Sequence, residues 1–320
     1  MVIDPTDPTD AADDTRARDG GAVPGRVALV SSGEYAHLDV DLPPIVAALG
    51  ARGVDVVVAD WHDAGFAWED VDLAVIRSTW DYTWHHDRFL SWAERVGALT
   101  RLANPAPVVR WNTDKRYLLD LAAAGVLTVP TRIVAPGDDP AGVDDLAPGQ
   151  EIVVKPVVSA GARDTERYGT DQLAEARTHV ERLQGEGRSV LVQPYLDGID
   201  GHGETGMVFL GDSFSHAFRK GPILVPGNGF VDGLYRGEDI APRTASQAEL
   251  DVASAALDAV AASVPGVSRR DLLYARVDVA PHDGGPVVLE LELVEPSFFC
   301  ATDAGAADRA AEAIAAALAG

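Results

Sequence analysis

Three acidic residues and one arginine near the C-terminus have the spacing of a cation-binding hairpin. Arg276 and Asp278 stand two residues apart, so they share one face if their segment is a strand. Glu290 and Glu292 share a face in the same way. The Asp-Gly and Gly-Gly turn signals in residues 281–285 put Asp278 roughly opposite Glu290. Carboxylates this close repel one another unless a cation neutralises them, and a divalent ion that carries phosphate oxygens would do so.

A solvated acidic face is the alternative interpretation of this hairpin, and its neighbours argue against it. Residues 287–289, Leu291 and Leu293 make the second segment almost continuously apolar, which is typical of a buried strand. Carboxylates on a buried strand need a partner. A metal site is therefore the favoured hypothesis.

Composition narrows the class of protein. The chain has 320 residues, enough for two or three lobes with real cores, and 47% of them are hydrophobic. Its one cysteine, Cys300, gives no disulfide framework and is expected to be a packed side chain. The formal net charge of −24 disfavours nucleic acid and anionic membranes as partners. With no signal-peptide pattern and no apolar stretch of about 18 residues, a cytoplasmic enzyme is predicted.

The first part of the chain has the rhythm of a parallel α/β lobe. Residues 1–25 are rich in Asp, Pro, Thr and Gly and predict a disordered acidic tail. Strands at 26–31, 54–59 and 71–76 surround a helix at 42–53. Ligands of such lobes bind beyond the carboxyl ends of the strands, and the third strand runs directly into polar and aromatic residues. We therefore predict substrate contacts there, against the alternative of an ordinary loop with a packed tryptophan: Arg77, Ser78, Thr79, Trp80 and Asp81.

The middle of the chain carries a candidate phosphate site. An apolar strand over 151–156 contains Lys155 and precedes a loop of small residues that includes Ser159 and Gly161. Small residues let backbone N–H groups approach phosphate. Neither the Walker A pattern nor Gly-x-Gly-x-x-Gly is present, which disfavours a P-loop protein and an oxidoreductase.

Two further segments have candidate binding roles. Pro194 interrupts a buried strand at 190–196 and leaves backbone groups that can pair with a base edge. Residues 197–205 are expected to form a flexible acidic loop, and the glycine-rich residues 221–242 a lid or substrate loop. His216 and Lys220 are candidate contacts to substrate or phosphate, although a hairpin histidine is often structural.

These motifs, in this order, resemble the ATP-grasp superfamily of carboxylate–amine (or thiol) ligases over roughly residues 110 to 300. The order is Lys115 at a helix start, strand-Lys-Pro with a small-residue loop, Gln-Pro-Tyr-Leu at 193–196, Gly-Glu-Thr at 203–205, then Arg-x-Asp and Glu-x-Glu. Residues 78–82, 111–112, 215–217 and 290–296 are similar to a subgroup that includes the O-ureido-serine cyclo-ligase of cycloserine biosynthesis.

The resemblance implies a mixed α/β protein with α+β lobes and the ATP-grasp fold. The expected lobes are an N-terminal α/β substrate lobe at 26–110, a small ATP-grasp lobe at 111–196 and a C-terminal lobe with the metal site at 197–320. Lys115 and Lys155 would contact nucleotide phosphates. Gln193, Tyr195 and Leu196 would hold the adenine, largely through backbone groups. Asp200 would bind the ribose, with Glu204 as its competitor.

The same resemblance assigns the hairpin. Asp278, Glu290 and Glu292 would coordinate two Mg²⁺ ions, with Mn²⁺ as an alternative, and Arg276 would be the catalytic residue that stabilises transition-state charge. Two features depart from the family: Glu292 stands where Asn is frequent, and residues 221–236 lack the expected arginine pattern. The second departure puts the substrate contacts in question.

The implied reaction is ATP-dependent C–N bond formation on a small amino-acid-like substrate through an acyl-phosphate. Ring closure within one molecule is one form of it. The alternatives are an ATP-dependent small-molecule kinase and a nucleotide-binding protein without ligase chemistry. The expected partner is a small molecule, with neither nucleic acid nor membrane, and a homodimer is the commonest oligomeric state.

Overall fold

A computed structural model describes residues 25–140, 148–224 and 239–320. The predicted acidic tail, except for its last residue, and most of the predicted lid at 221–242 therefore lie outside the described residues. In the described part the chain forms three sheets with helices packed on them. The mixed α/β fold predicted from the sequence is confirmed.

The first sheet is parallel, as the βαβ rhythm predicted. Its strand order is β2-β1-β3-β4, formed by β1 (Arg26–Ser31), β2 (Asp55–Asp60), β3 (Leu73–Ser78) and β4 (Arg101–Ala103). Strands β1 and β3 are almost wholly buried because helices cover both faces of a parallel sheet. These helices include α1 (Leu42–Ala51), α2 (His86–Leu99) and α3 (Ala106–Asn112).

The second sheet is antiparallel, with strand order β5-β8-β6-β7. Its strands are β5 (Arg132–Val134), β6 (Ile152–Pro156), β7 (Glu166–Tyr168) and β8 (Val190–Pro194). Helix α4 (Tyr117–Ala123) precedes this sheet and α5 (Leu173–Gly185) crosses between β7 and β8. Buried Val, Ile and Leu side chains of β6, β8 and α5 form its core.

The third sheet is also antiparallel and has the order β11-β10-β9-β12-β13. Its strands are β9 (Glu204–Leu210), β10 (Ser213–Lys220), β11 (Ile240–Arg243), β12 (Tyr274–His282) and β13 (Gly285–Glu292). Three helices accompany it: α6 (Gly198–His202), α7 (Gln247–Ser263) and α8 (Ala306–Ala319). Helix α6 corrects the expected loop at 197–205, which is mostly one short helical turn.

Two buried asparagines tie the first sheet to the third. Asn104, just after β4, donates to the carbonyl oxygens of Tyr274 (2.9 Å) and Leu293 (2.7 Å) and accepts from the Leu273 N–H (2.7 Å). Asn112, at the end of α3, donates to Leu291 O at 2.8 Å. These bonds satisfy backbone groups that would otherwise be buried unpaired, and they fix the edge of the N-terminal sheet against β12 and β13.

No division of the chain into lobes at particular residues follows from these contacts, and the boundaries at 110 and 196 stay predictions. Among the described residues, none of the helices combines the length and the apolarity needed to span a bilayer.

Candidate active site

The acidic hairpin forms with the register that the sequence predicts. Strands β12 and β13 pair so that Asp278 lies opposite Glu290 and Arg276 opposite Glu292. One oxygen from each of the three carboxylates lies within 4.8 Å of the others. On the other side of β12, Gly206 lies opposite Asp278, and a Cβ there would be 2.4 Å from the Phe218 ring. The glycine therefore leaves room beside Asp278.

The three carboxylates have the donor chemistry of a hard-cation site. Their oxygens converge and their strands are buried, so a divalent cation such as Mg²⁺ fits them. In the structure, basic side chains take up their charge: Lys115 Nζ lies 2.8 Å from Glu290 Oε1 and Lys220 Nζ lies 2.9 Å from Asp278 Oδ2. Residues far apart in sequence thus meet at one point.

Arg276 is bound on the same face. Its guanidinium donates twice to Asp278, at 2.9 and 3.0 Å, and also to Glu292. A fourth hydrogen bond, at 3.2 Å, goes to Ser297 O. Such a bidentate, charge-assisted arrangement fixes the plane of the guanidinium. The predicted catalytic group is therefore held rigidly against the predicted metal ligands.

The electrostatics of the three carboxylates differ. Burial raises the pKa of Glu290, but Lys115, Lys155 and Lys220 outweigh it and hold that pKa well below its usual range. Burial, together with the charges of Glu290 and Asp278, raises the pKa of Glu292 to about 8 in spite of Arg276. Without a cation, the site therefore binds a proton on Glu292 more readily than on its neighbours.

A cavity of about 290 Å³ lies between the second and third sheets, next to the hairpin. Most of the predicted site residues line it: Trp80, Lys115, Lys155, Ser159, Gly161, Gln193, Tyr195, Leu196, Glu204, Lys220, Arg276, Glu290 and Glu292. Asp278, which is fully buried, lies behind this wall and touches it through Lys220 and Arg276.

The chain contains three lysines, and all three line this cavity. Lys115 donates to Ser159 O at 2.7 Å, which ties it to the small-residue loop after β6. In that loop Gly161 and Ala162 have φ of 62° and 59°, the left-handed region that glycine adopts without strain. Burial and the charges of Lys115 and Lys220 lower the pKa of Lys155, although Glu290 opposes them. Positive charge is thus concentrated where phosphate was predicted to bind.

The predicted adenine hinge is partly engaged within the protein. The Gln193 side chain donates to Thr131 Oγ1 at 2.9 Å, and the backbone N–H of Tyr195 donates to Glu151 O at 2.8 Å. Tyr195 and Leu196 line the cavity together with Val153 and Leu289. These residues form an apolar slot, and the backbone of residues 193–196 runs along it.

Asp200 and its competitor Glu204 differ in their relation to the cavity. The Asp200 carboxylate accepts two hydrogen bonds from Arg167, at 2.9 and 3.0 Å, and one from the Tyr195 hydroxyl at 2.6 Å. It is not among the residues that line the cavity. Glu204 does line it and lies 3.3 Å from Lys220 Nζ.

Of the five predicted contacts at the end of β3, only Trp80 is among the residues that line the cavity. Arg77 is 1% exposed, donates to Pro296 O at 3.2 Å and stacks on the Phe298 ring. Asp81 accepts from Trp61 at 2.9 Å and contacts His62. The other two, Ser78 and Thr79, are fully buried, with Ser78 Oγ 2.7 Å from Ser31 Oγ. These four side chains are held by contacts within the protein, and their predicted contact with substrate stays a prediction.

Lys220 lines the cavity and His216 does not, which favours the structural alternative for His216. The His216 ring lies 2.7 Å from Phe298 O and 2.9 Å from Ser215 Oγ. Burial lowers its pKa, which favours the neutral ring. Its place is behind the segment that carries Ser297 and Phe299, two residues that do line the cavity.

Sequence reasoning missed several lining residues, among them Tyr82, Glu295, Ser297 and Phe299. The first two stood in motifs that had been noticed, at 78–82 and 290–296. The signal that could have found them is their place directly after β3 and β13, at strand ends that meet at the cavity.

Comparison with known proteins identifies the family. The family model for the N-terminal domain of D-cycloserine synthetase DcsG matches residues 27–104. The cycloserine biosynthesis protein DcsG of Streptomyces lavendulae is 39% identical over 298 residues, which are 91% of this chain and 98% of that protein. The crystal structure of D-cycloserine synthetase DcsG is 38% identical and superposes with a TM-score of 0.84 over 92% of this chain and 100% of that one.

More distant structures share the fold. A RimK domain ATP-grasp protein from Sphaerobacter thermophilus has a TM-score of 0.62 at 20% identity, over 92% of this chain and 100% of that one. The D-alanine–D-alanine ligase of Bacillus anthracis has a TM-score of 0.65 at 16% identity, over 92% and 97%. The resemblance stated from the sequence is confirmed. The chain belongs to the DcsG family and has the ATP-grasp fold.

Proposed function

We propose that this ATP-dependent ligase activates the carboxylate of a small amino-acid-like substrate and closes a ring by forming a C–N bond within that molecule. The observation that carries the proposal is the composition of the cavity wall. Three lysines and Arg276 face three convergent carboxylates, in a chain related to DcsG along 91% of its length. Phosphoryl transfer needs positioning and charge neutralisation, and this wall offers both.

The nucleotide would lie between the second and third sheets. Lys115 and Lys155 would contact its phosphates, and the loop with Ser159 and Gly161 would cover them. Residues 193–196 would hold the adenine in the apolar slot, and Glu204 would meet the ribose. The support is their common presence on one cavity wall.

Asp278, Glu290 and Glu292 would hold Mg²⁺. When bound, the ion neutralises charge that develops on phosphate oxygens. Three carboxylates have enough oxygens for two ions, and Mn²⁺ accepts the same donors, so two ions and Mn²⁺ substitution belong to the proposal. Lys115 and Lys220, which now pair with Glu290 and Asp278, would then turn to phosphate.

Arg276 would act at the reacting carbon. The substrate carboxylate oxygen attacks the γ-phosphorus of ATP, the bond to the β,γ-bridging oxygen breaks, and ADP leaves. A nitrogen of the same substrate then attacks the activated carbonyl carbon. The C–O bond to phosphate breaks and the nitrogen loses a proton. A guanidinium held rigidly on the cavity wall would stabilise the negative oxygen of the tetrahedral intermediate.

The test is ADP release over a panel of amino acids, hydroxy acids and ureido compounds that includes O-ureidoserine, with mass spectrometry of the product. A cyclic product that has lost one water supports the proposal. A phosphorylated product would make the protein a kinase, and absence of ADP release across the panel would leave a nucleotide-binding protein.

The expected cytoplasmic location and homodimeric state belong to the same proposal. Cell fractionation tests the first. Light scattering of the purified protein tests the second.

A further inference from the structure

Glu295 forms a part of the cavity wall that neither the metal site nor the nucleotide site uses. It follows β13 by three residues and lines the cavity together with Trp80 and Tyr82. The Trp80 indole N–H donates to Glu295 O at 3.1 Å, which fixes the backbone at this point. The Tyr82 hydroxyl lies close enough to the Glu295 carboxyl for each group to shift the pKa of the other.

The charge of Glu295 is not neutralised as that of its neighbours is. Glu290 has Lys115, Glu292 has Arg276, and Asp278 has both Arg276 and Lys220. Across residues 25–140, 148–224 and 239–320, ion pairs with a nitrogen within 4.0 Å do not include Glu295. Glu295 therefore lacks the close basic partner that Asp278, Glu290 and Glu292 each have.

The surroundings of Glu295 would strengthen its interaction with a bound cation. Trp80 and Tyr82, which both interact with Glu295, give this part of the cavity an aromatic surface. A low-dielectric wall strengthens an ion pair, and aromatic faces also attract ammonium groups. Burial, with a contribution from Glu290, raises the pKa of Glu295 to about 7 although Lys115 opposes the shift. A bound cation would favour the ionised carboxylate.

We propose that Glu295, held by Trp80 and Tyr82, binds the ammonium group of the substrate and so selects amino acids over acids that lack the amino group. The inference rests on the proposed function and names the group that recognises its substrate. The substrate would then be oriented at two points, with its carboxylate toward Arg276 and its ammonium toward Glu295.

The experiment compares two substrates in two proteins. The substrates are O-ureidoserine and 3-(ureidooxy)propionic acid, which differs only by lacking the amino group. The proteins are the wild type and Glu295→Gln, which keeps the size of the side chain and removes its charge. Glu312→Gln, an exposed carboxylate on α8, is the matched control. ADP release gives kcat and KM for each pair, and calorimetry gives the binding of each compound and of Mg-ATP.

We expect the wild type to prefer the amino compound by about 10- to 100-fold in kcat/KM, the range of a hydrogen-bonded charged group. Glu295→Gln should lose this preference, mostly through KM, while its Mg-ATP affinity and its kcat/KM for the des-amino compound stay near wild type. Tyr82→Phe should weaken the preference in the same direction, which gives a second readout if Glu295→Gln folds poorly.

Two results would overturn the inference. One is that Glu295→Gln lowers kcat equally for both compounds and leaves KM unchanged, which would identify Glu295 as a general base. The other is a preference that survives in both variants. Absence of ADP release by the wild type would instead contradict the proposed function. Calorimetric binding of the two compounds would then still decide whether Glu295 recognises the ammonium group.

Discussion

Lys115 Nζ lies 2.8 Å from Glu290 Oε1, so the segment just before α4 is joined to strand β13. The pair brings the start of one helix and the metal hairpin to a single point at the cavity. Its electrostatic effect is reciprocal, because Glu290 raises the pKa of Lys115 against the effect of burial while Lys115 lowers that of Glu290. A cation bound by Glu290 would compete with this pair, so metal and phosphate binding are coupled through it.

Because the chain has only three lysines and all line the cavity, lysine chemistry reports on the site alone. Reductive methylation with ¹³C-formaldehyde should give one dimethyl-lysine NMR signal from each lysine, beside that of the α-amino group. We expect Lys155 to titrate below the usual range of a lysine and Lys115 above it, because of the charges around them. Mg-ATP should shift all three signals.

Single Lys→Arg variants assign these signals. A common titration of all three lysines in the usual range, unaffected by Mg-ATP, would show that they do not share the cavity.

Replacing Arg276 with alanine should abolish most of the activity. The guanidinium is the rigid donor on the metal-bearing face, and loss of one such donor costs on the order of 10²–10³-fold in kcat. The KM for Mg-ATP should change little. Steady-state ADP release measures both constants, and Arg270→Ala, at an exposed arginine, is the control. Activity within about tenfold of wild type would exclude a catalytic role for Arg276.

The hairpin itself is predictable from the sequence, because alternation and the turn at 281–285 are local properties that place Asp278 roughly opposite Glu290. The exact pairing depends on a register shift between Asp278 and Val279, which moves the partner by one residue and which these local signals do not contain. The order of motifs in turn predicted the fold, which the family confirms. The hairpin prediction depends on residues that are close together in the chain, and the fold prediction depends on the order of the motifs.

The direction of individual side chains could not be predicted in the same way. Arg77 is the penultimate residue of β3 and Asp81 follows the strand, yet both are bound by partners distant in sequence. Asp39 and Asp41 lie near Arg77, and Trp61 and His62 contact Asp81. Asp200 is bound by Arg167 of β7. Such contacts arise only when separate elements pack, so no local pattern reports them.

His179 should make the protein sensitive to acid. It is buried in α5 beside the Tyr168 hydroxyl (3.1 Å), and burial, aided by Arg182 and Arg188, lowers its pKa to about 4 although Asp164 and Glu186 oppose them. The folded state therefore binds fewer protons than the unfolded state, whose histidine has its ordinary pKa of about 6.5. The stabilisation is present above about pH 6.5 and is lost as the pH falls toward 4.

Urea unfolding at about pH 7 and about pH 4.5 tests this effect. We expect His179→Phe to lose less free energy of unfolding between these conditions than the wild type, by roughly 2–3 kcal/mol at most. His202→Gln, at an exposed histidine, should behave as the wild type. The same pH dependence in His179→Phe and the wild type would contradict the assignment.

Glu292→Gln should stabilise the metal-free protein while damaging its function. Three carboxylates within 4.8 Å repel one another, and the pKa of Glu292 is raised to about 8. The folded state then binds more protons than the unfolded state, so stability falls as the pH rises toward about 8. Glutamine carries no charge, and the thermal midpoint of the variant should exceed that of the wild type increasingly over this range when a chelator is present.

Mg²⁺ with ATP should reverse that order, because a ligand stabilises the folded protein in proportion to its affinity and the variant has one carboxylate fewer for the ion. The Mg²⁺ concentration for half-maximal ADP release should rise in Glu292→Gln, while Glu312→Gln should follow the wild type in both experiments. If Mg-ATP raised the thermal midpoints of Glu292→Gln and the wild type equally, Glu292 would not be a metal ligand. Metal binding would then not explain why Glu292 lies so close to the other two carboxylates.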